Sequence, residues 1–293
     1  MLDLGWFSTG RDEAARDLLE VVAGEIAAGR LACRLRFVFS NRAPGESPAS
    51  DSFHGLVRRL GLPLIALSSR SFAPELWEQG RRDPQARRLW RLAYDREVHR
   101  LIAPFACPVV VLAGYMLVLG EELCRQHQFL NLHPALPGGP VGTWQEVIWE
   151  TLFAGMEEAG AMMHLVTPEL DRGPAVSYFS FSLRGPGWDE LWQEWEARRE
   201  PTRQFLATAG RGATPGPEER LFWAVREQQT RRELPLLVLT LDLLARGEVR
   251  LENHRVLDRR GAELARGYCL NREVEAWLEE RAAGGTGREV DRR

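Results

Sequence analysis

Asn131 and His133 are the residues whose types and spacing most readily do chemistry here. They lie two positions apart in Phe129-Leu130-Asn131-Leu132-His133-Pro134-Ala135-Leu136-Pro137. On an extended chain, residues two apart point to the same side. A carboxamide N–H and an imidazole on one face can stabilise a carbonyl oxygen that gains charge and handle a proton beside it. Such a pair needs a rigid platform. Val109-Val110-Val111-Leu112, followed by Ala113-Gly114-Tyr115-Met116, reads as a buried strand and its loop, and 128–132 reads as the next strand. In an open α/β sheet, ligands bind just beyond the carboxyl ends of such strands.

The rest of the chain supplies the elements of that sheet. A short apolar run at 2–7 ends in Ser8-Thr9-Gly10-Arg11-Asp12 and is followed by an amphipathic helix over about 13–28. The Ser-Thr-Gly turn is either an anion cradle at the helix N-terminus or a plain turn with Asp12 as N-cap. Residues 33–40 form a second strand, 41–52 a loop, 52–60 a short helix and 62–67 a third strand. The stretch 72–102 is helical by pattern, with a break at Asp83-Pro84. Residues 120–125 form a short helix, and Thr143 caps another that runs to 155. The alternation of strand and helix predicts parallel pairing with right-handed crossovers. Two further strands, 161–166 and 175–183, flank a loop containing two prolines, which is a wide hairpin or a functional loop. Residues 184–217 read as a short helix plus a mobile loop, with Trp188, Trp192 and Trp195 at helical spacing. Those tryptophans are either core or a stacking lid. Then follow a helix over 218–246 interrupted near Pro235, a hairpin over 249–257, and a disordered end over 282–293.

Composition narrows the function classes. The chain has 293 residues and a formal net charge of -3, which argues against a nucleic-acid partner. No apolar run approaches the ~20 residues that span a bilayer. The start lacks the basic and apolar regions of a secretory signal, so a cytoplasmic location is expected. Cys33, Cys107, Cys124 and Cys269 are scattered, with neither zinc spacing nor a disulfide framework. The first three sit in apolar contexts and read as buried thiols. All 38 basic residues are arginine. The absence of lysine removes a P-loop lysine, a Schiff base and a pyridoxal-phosphate attachment site.

Taken together, the Asn131–Pro137 segment, Leu170-Asp171-Arg172-Gly173-Pro174 and the Val109–Met116 strand resemble the 10-formyltetrahydrofolate-dependent formyltransferases, in the branch acting on glycinamide ribonucleotide. Phe37-Val38-Phe39-Ser40-Asn41-Arg42, Ala93-Tyr94-Asp95-Arg96-Glu97 and His164-Leu165-Val166-Thr167 add matches in the same order. The likeness covers about 2–183 and resumes near 227–251. It implies a Rossmann-like, open, mostly parallel twisted sheet with helices on both faces. It also implies a formyltransferase domain over 1–257 with an insertion at 184–217, and a C-terminal extension over 258–293.

The implied activity moves a formyl group from N10 of the folate to a primary amine, with no metal. Asn131 donates to the oxyanion, His133 stabilises it or shuttles the amine's proton, and Asp171 orients His133 or takes a proton through water. The backbone of Met116, Leu117, Val118 and Leu119 holds the pterin, although relatives often carry arginine at the position of Leu117. Val166 and Thr167 close on the folate, and His164 is either a further contact or a satisfied core histidine. On the acceptor side, Thr9, Gly10 and Arg11 occupy the family's phosphate loop, where Asp12 opposes Arg11. Arg91 matches an arginine near the phosphate, and Glu227 matches a carboxylate against the amine and ribose. The implied partner is a small, phosphorylated amine, with no nucleic acid or membrane, and the protein is a monomer or homodimer. The other arginines around Arg91 (Arg87, Arg88, Arg96) read as a solvated helix face. His54, His99, His127 and His254 read as ordinary helix or loop residues.

Two rivals stay open. A hydrolase would use the same Asn, His and Asp with water in place of the amine, and its relatives carry an extra N-terminal regulatory domain. A non-catalytic folate or nucleotide binder would have no need to retain all three residues. A transfer-RNA formyltransferase would carry a basic C-terminal domain, which is not visible here.

Overall fold

The computed structural model describes residues 1–286. In chain order the elements are β1 (Leu2–Ser8), α1 (Glu13–Ala27), β2 (Cys33–Ser40), α2 (Pro48–Arg59), β3 (Leu64–Ala66), α3 (Pro74–Gly80), α4 (Pro84–Ile102), β4 (Val109–Leu112), α5 (Glu121–Gln126), β5 (Phe129–His133) and α6 (Trp144–Phe153). They continue as β6 (Glu158–Leu165), β7 (Ala175–Ser182), α7 (Trp188–Ala209), α8 (Arg220–Ala245), β8 (Val249–Glu252), β9 (Arg255–Asp258), β10 (Tyr268–Cys269) and α9 (Asn271–Thr286). The sheet is open, mixed and mostly parallel, with eight strands in the order β10-β7-β6-β5-β4-β1-β2-β3. This is the α/β class that the strand–helix alternation predicts.

Two compact units divide the chain. The first comprises Met1–Asn131, Leu165–Gly173 and Leu241–Glu263. Its strands β3, β2, β1, β4 and β5 pair in parallel. Phe7, Phe37, Phe39, Tyr115 and Phe129 form its aromatic centre, against Trp90, Tyr94, Val98 and Ile102 of α4. The caps follow local chemistry. The Asp12 carboxylate accepts from Ala15 N–H at 3.0 Å at the start of α1. Asp83 does the same for Gln85 N–H at 2.9 Å, with Pro84 in the first turn of α4, so the break at Asp83-Pro84 is a helix start. In the β8–β9 hairpin, Asn253 and His254 have φ of 50° and 60°, the left-handed pair that a tight two-residue turn requires.

The second unit comprises Leu132–His164, Pro174–Thr240 and Leu264–Arg293. Strands β6 and β7 are antiparallel, and β10 pairs in parallel with β7. At the start of α6, Thr143 and Glu146 form a reciprocal capping box. The core gathers Ile148, Trp149 and Leu152 of α6 with Trp192, Trp195, Leu221, Phe222 and Val225.

Three local expectations change. The segment 184–217 carries one long helix, α7, of 22 residues instead of a short helix and a loop. Trp192 and Trp195 are buried in the core, and Trp192 Nε1 donates to Leu183 O at 2.7 Å, so their spacing serves packing. Helix α8 runs through Pro235 without interruption, because Leu236, Leu237 and Leu241 beyond it are fully buried and hold the helix in place. Residues 282–286, expected to be disordered, are the last part of α9, and 287–293 lie outside the described residues. Among the described residues, no helix is long and apolar enough to cross a membrane. Cys33 and Cys124 are buried and Cys107 is half-buried. Burial pushes the Cys33 and Cys124 thiols up to about 12, so both stay protonated.

Candidate active site

Strand β5 starts fully buried at Phe129 and Leu130, and Asn131 and Leu132 are half-buried. Its last residue, His133, is 2% exposed. Asn131 and His133 share one face of this strand by its alternation. His133 Nε2 lies 2.9 Å from Pro140 O. A carbonyl can only accept, so Nε2 carries a proton and donates it to Pro140 O. The His164 ring, buried on β6, stands nearly perpendicular to that of His133 at a centroid distance of 6.1 Å. The segment after His133 is rigid: Gly139 N–H closes on Leu136 O at 2.8 Å, and Gly138 takes φ +81°.

The aspartate loop belongs to the first unit. Val166 N–H donates to Phe129 O at 2.8 Å, which ties the start of the loop to β5. Thr167 Oγ1 donates to Glu169 O at 3.2 Å within the loop. Asp171 has φ +52°, a conformation that Asp tolerates better than most residues. A Cβ at Gly173 would lie 1.7 Å from Leu165 O, so the loop closes this tightly only with glycine. Asn131 Nδ2 donates to Asp171 Oδ1 at 3.4 Å.

The loop after β4 is the expected pterin cradle. Gly114 takes φ +66°. Met116 N–H donates to Thr9 Oγ1 at 2.9 Å, so this N–H is already used. Met116 and Val118 are 48% and 41% exposed, Leu117 is half-buried and Leu119 is buried. The loop ends where Gly120 N–H donates to Asp95 Oδ2 at 2.6 Å. A Cβ at Gly120 would lie 2.2 Å from that oxygen. Burial in α4 pushes the Asp95 carboxyl up to about 7, against the opposing pull of the Gly120 N–H and Arg91. The folded protein therefore binds the Asp95 proton more tightly than the unfolded chain. The resulting stability is complete below about pH 4 and is lost as pH rises through 7, amounting to roughly 2–4 kcal/mol. Asp95→Asn keeps an acceptor for Gly120 N–H and abolishes this titration. Urea unfolding at pH 5 and pH 8 is expected to show the variant gaining on wild type at the higher pH. An equal difference at both pH values would refute the assignment.

The acceptor-side residues behave differently. Thr9 is buried, its N–H donates to Gly114 O at 3.0 Å, and its carbonyl accepts from Ser50 Oγ at 3.1 Å. Gly10 N–H donates to Ser8 Oγ at 3.1 Å, and a Cβ there would strike Phe53. The turn thus spends two of its N–H groups within the fold, with Asp12 as the N-cap of α1. Arg11 Nε sits 3.4 Å from Asp12, and both side chains are about half exposed. Arg91 is half-buried, with its stem against Gly120. Glu227 is exposed on α8 and lines an open depression of about 500 Å³ with Trp223, Arg220 and Leu191.

One residue of this region escapes the sequence reading. Gln229 stands two residues from Glu227, so it projects from the opposite side of α8. It is 1% exposed, and its Nε2 donates to Pro134 O at 2.8 Å and Gly160 O at 3.1 Å. The available signal was a polar residue in the buried stripe Phe222, Val225, Gln229, Leu236. Among the described residues, no group of three or more His, Cys, Asp or Glu side chains is arranged to hold a metal ion.

An open, mostly parallel sheet with an Asn-x-His pair closing β5 defines an α/β fold of the type that binds ligands at strand ends. The model of the formyl transferase family matches residues 80–180 of this chain. It is 40% identical over 88 residues to phosphoribosylglycinamide formyltransferase of Escherichia coli (strain K12), covering 29% of this chain and 41% of that protein. The match to the Saccharomyces cerevisiae protein of the same name is 34% over 123 residues, covering 40% of this chain and 56% of that protein. The chain thus spans about half the length of these curated relatives. The phosphoribosylglycinamide formyltransferase structure from Coxiella burnetii shares the fold, with a TM-score of 0.63 at 21% identity, covering 92% of this chain and 98% of that one.

Proposed function

We propose that the protein transfers a formyl group from 10-formyltetrahydrofolate to a small primary amine of the glycinamide ribonucleotide type. The observation that supports this most is Asn131 and His133 at the end of β5, with Asp171 hydrogen-bonded to Asn131, all within the family-matched residues 80–180. The donor-side residues Met116, Leu117, Val118, Leu119, His164, Val166 and Thr167 also fall within that stretch, as does Arg91 on the acceptor side. Thr9, Gly10, Arg11 and Glu227 fall outside it. Both relatives are named for phosphoribosylglycinamide, which is a phosphorylated amine.

In this reading, the acceptor's nitrogen lone pair attacks the formyl carbon. The carbonyl π electrons move onto oxygen, where Asn131 Nδ2 donates to the developing oxyanion. His133 takes the proton lost by the attacking nitrogen. The oxyanion then collapses, the bond from carbon to N10 breaks, and His133 returns the proton to N10. Asp171 holds the Asn131 amide and relays protons through water. Loss of one such oxyanion donor raises a barrier by roughly 3 kcal/mol.

The test is tetrahydrofolate formation by the purified protein with 10-formyltetrahydrofolate and a panel of amines that includes glycinamide ribonucleotide. Formation that depends on an amine is expected. Equal formation without amine would establish the hydrolase instead. Folate binding without turnover would establish a binder.

A further inference from the structure

We propose that Gln229 is a positioning residue for His133: its amide clamps the turn after β5 to strand β6 and thereby fixes the imidazole. This inference rests on the role proposed above for His133. Gln229 Nε2 faces two carbonyls, Pro134 O at 2.8 Å and Gly160 O at 3.1 Å. Carbonyls only accept, so both amide hydrogens are committed and the orientation of the amide is set. Its Oε1 is buried without a hydrogen-bond partner. A buried acceptor left in that state is destabilising, so the position is occupied for its two donors.

Gly160 explains how one amide reaches both carbonyls. A Cβ at Gly160 would lie 2.0 Å from Phe179 O and 2.7 Å from Leu136 Cδ2. The missing side chain lets Leu136 settle onto β6, bringing the turn with it. Pro134 is bonded directly to His133. At the other end of the same segment, Pro140 O meets His133 Nε2 at 2.9 Å. The 134–140 segment therefore holds the ring at Pro140 and is itself pinned at Pro134 by Gln229. Removing the pin loosens the segment whose Pro140 carbonyl accepts from Nε2, and the imidazole loses its fixed orientation. A misplacement of about 1 Å can cost up to roughly 100-fold in rate.

The test uses Gln229→Met, which has similar length and no donor, in the full chain. Tetrahydrofolate formation is measured with the amine that supports turnover, or without amine if the protein is a hydrolase. The His133 ring is followed by 15N NMR, which reports its tautomer with or without turnover. The expected result is a kcat lowered roughly 10- to 100-fold, an unchanged KM for the folate, and His133 ring resonances shifted from their wild-type positions. Wild-type kcat and wild-type His133 resonances would overturn the proposal. If Gln229→Met does not fold, Gln229→Asn, one methylene shorter, replaces it with the same expected and refuting results. His133→Ala is assayed alongside. If it turns over normally, the function reading fails; if it is inactive while Gln229→Met is normal, only the clamp fails.

Discussion

Replacing His133 with alanine is expected to lower tetrahydrofolate formation by roughly 10²- to 10⁴-fold while folate binding is retained. The side chain is 2% exposed and its Nε2 is held by Pro140 O, so the ring has a fixed orientation. Alanine removes the imidazole that takes the amine's proton in the proposed mechanism. The expected folate contacts at 116–119 rest on other anchors, the bonds from Met116 N–H to Thr9 and from Gly120 N–H to Asp95. Single-turnover kinetics and titration with a non-reacting folate analogue separate the two effects. Turnover near wild type would remove His133 from the mechanism. Loss of folate binding together with turnover would make the histidine structural.

Asp171→Asn carries the second large effect, an expected loss of roughly 10²- to 10³-fold in kcat. This substitution is cleaner than alanine for a backbone reason. Asp171 sits at φ +52°, where Asn is tolerated as well as Asp and alanine is strained. The variant keeps an oxygen able to accept from Asn131 Nδ2, now 3.4 Å from Asp171 Oδ1. The negative charge is lost, and one acceptor oxygen becomes an NH2 donor. An unchanged melting temperature with the expected fall in kcat identifies the charge as the working feature. Unchanged kcat would show that Asp171 merely shapes the loop.

Much of the donor side was legible because local chemistry decides it. The run Val109–Leu112 reads as a doubly covered strand, Thr143 announces a helix start, Asp83-Pro84 marks a helix boundary, and an Asn-x-His pair on a strand shares a face whatever surrounds it. The acceptor side was less legible because burial decides it. Whether a Ser-Thr-Gly turn offers its N–H groups to an anion depends on Gly114 O and Ser8 Oγ, and the first of these lies a hundred residues away in the chain. Likewise, Pro235 reads as a break and the tryptophans of 188–195 as either core or lid until their neighbours are known.

Sequence alone therefore determined the α/β class and the strand carrying Asn131, which follow from short-range periodicity and turn chemistry, while the aspartate loop was marked out by the family resemblance. Tertiary structure alone decided the protonated nitrogen of His133, the conformation of Asp171 and the role of Gln229. These depend on carbonyls and backbone angles brought together by folding: Pro140 O on Nε2, a left-handed φ at Asp171, and Pro134 O with Gly160 O on one buried amide. No residue type or spacing encodes them, because a hydrogen bond is a property of two groups at a distance and not of either group alone.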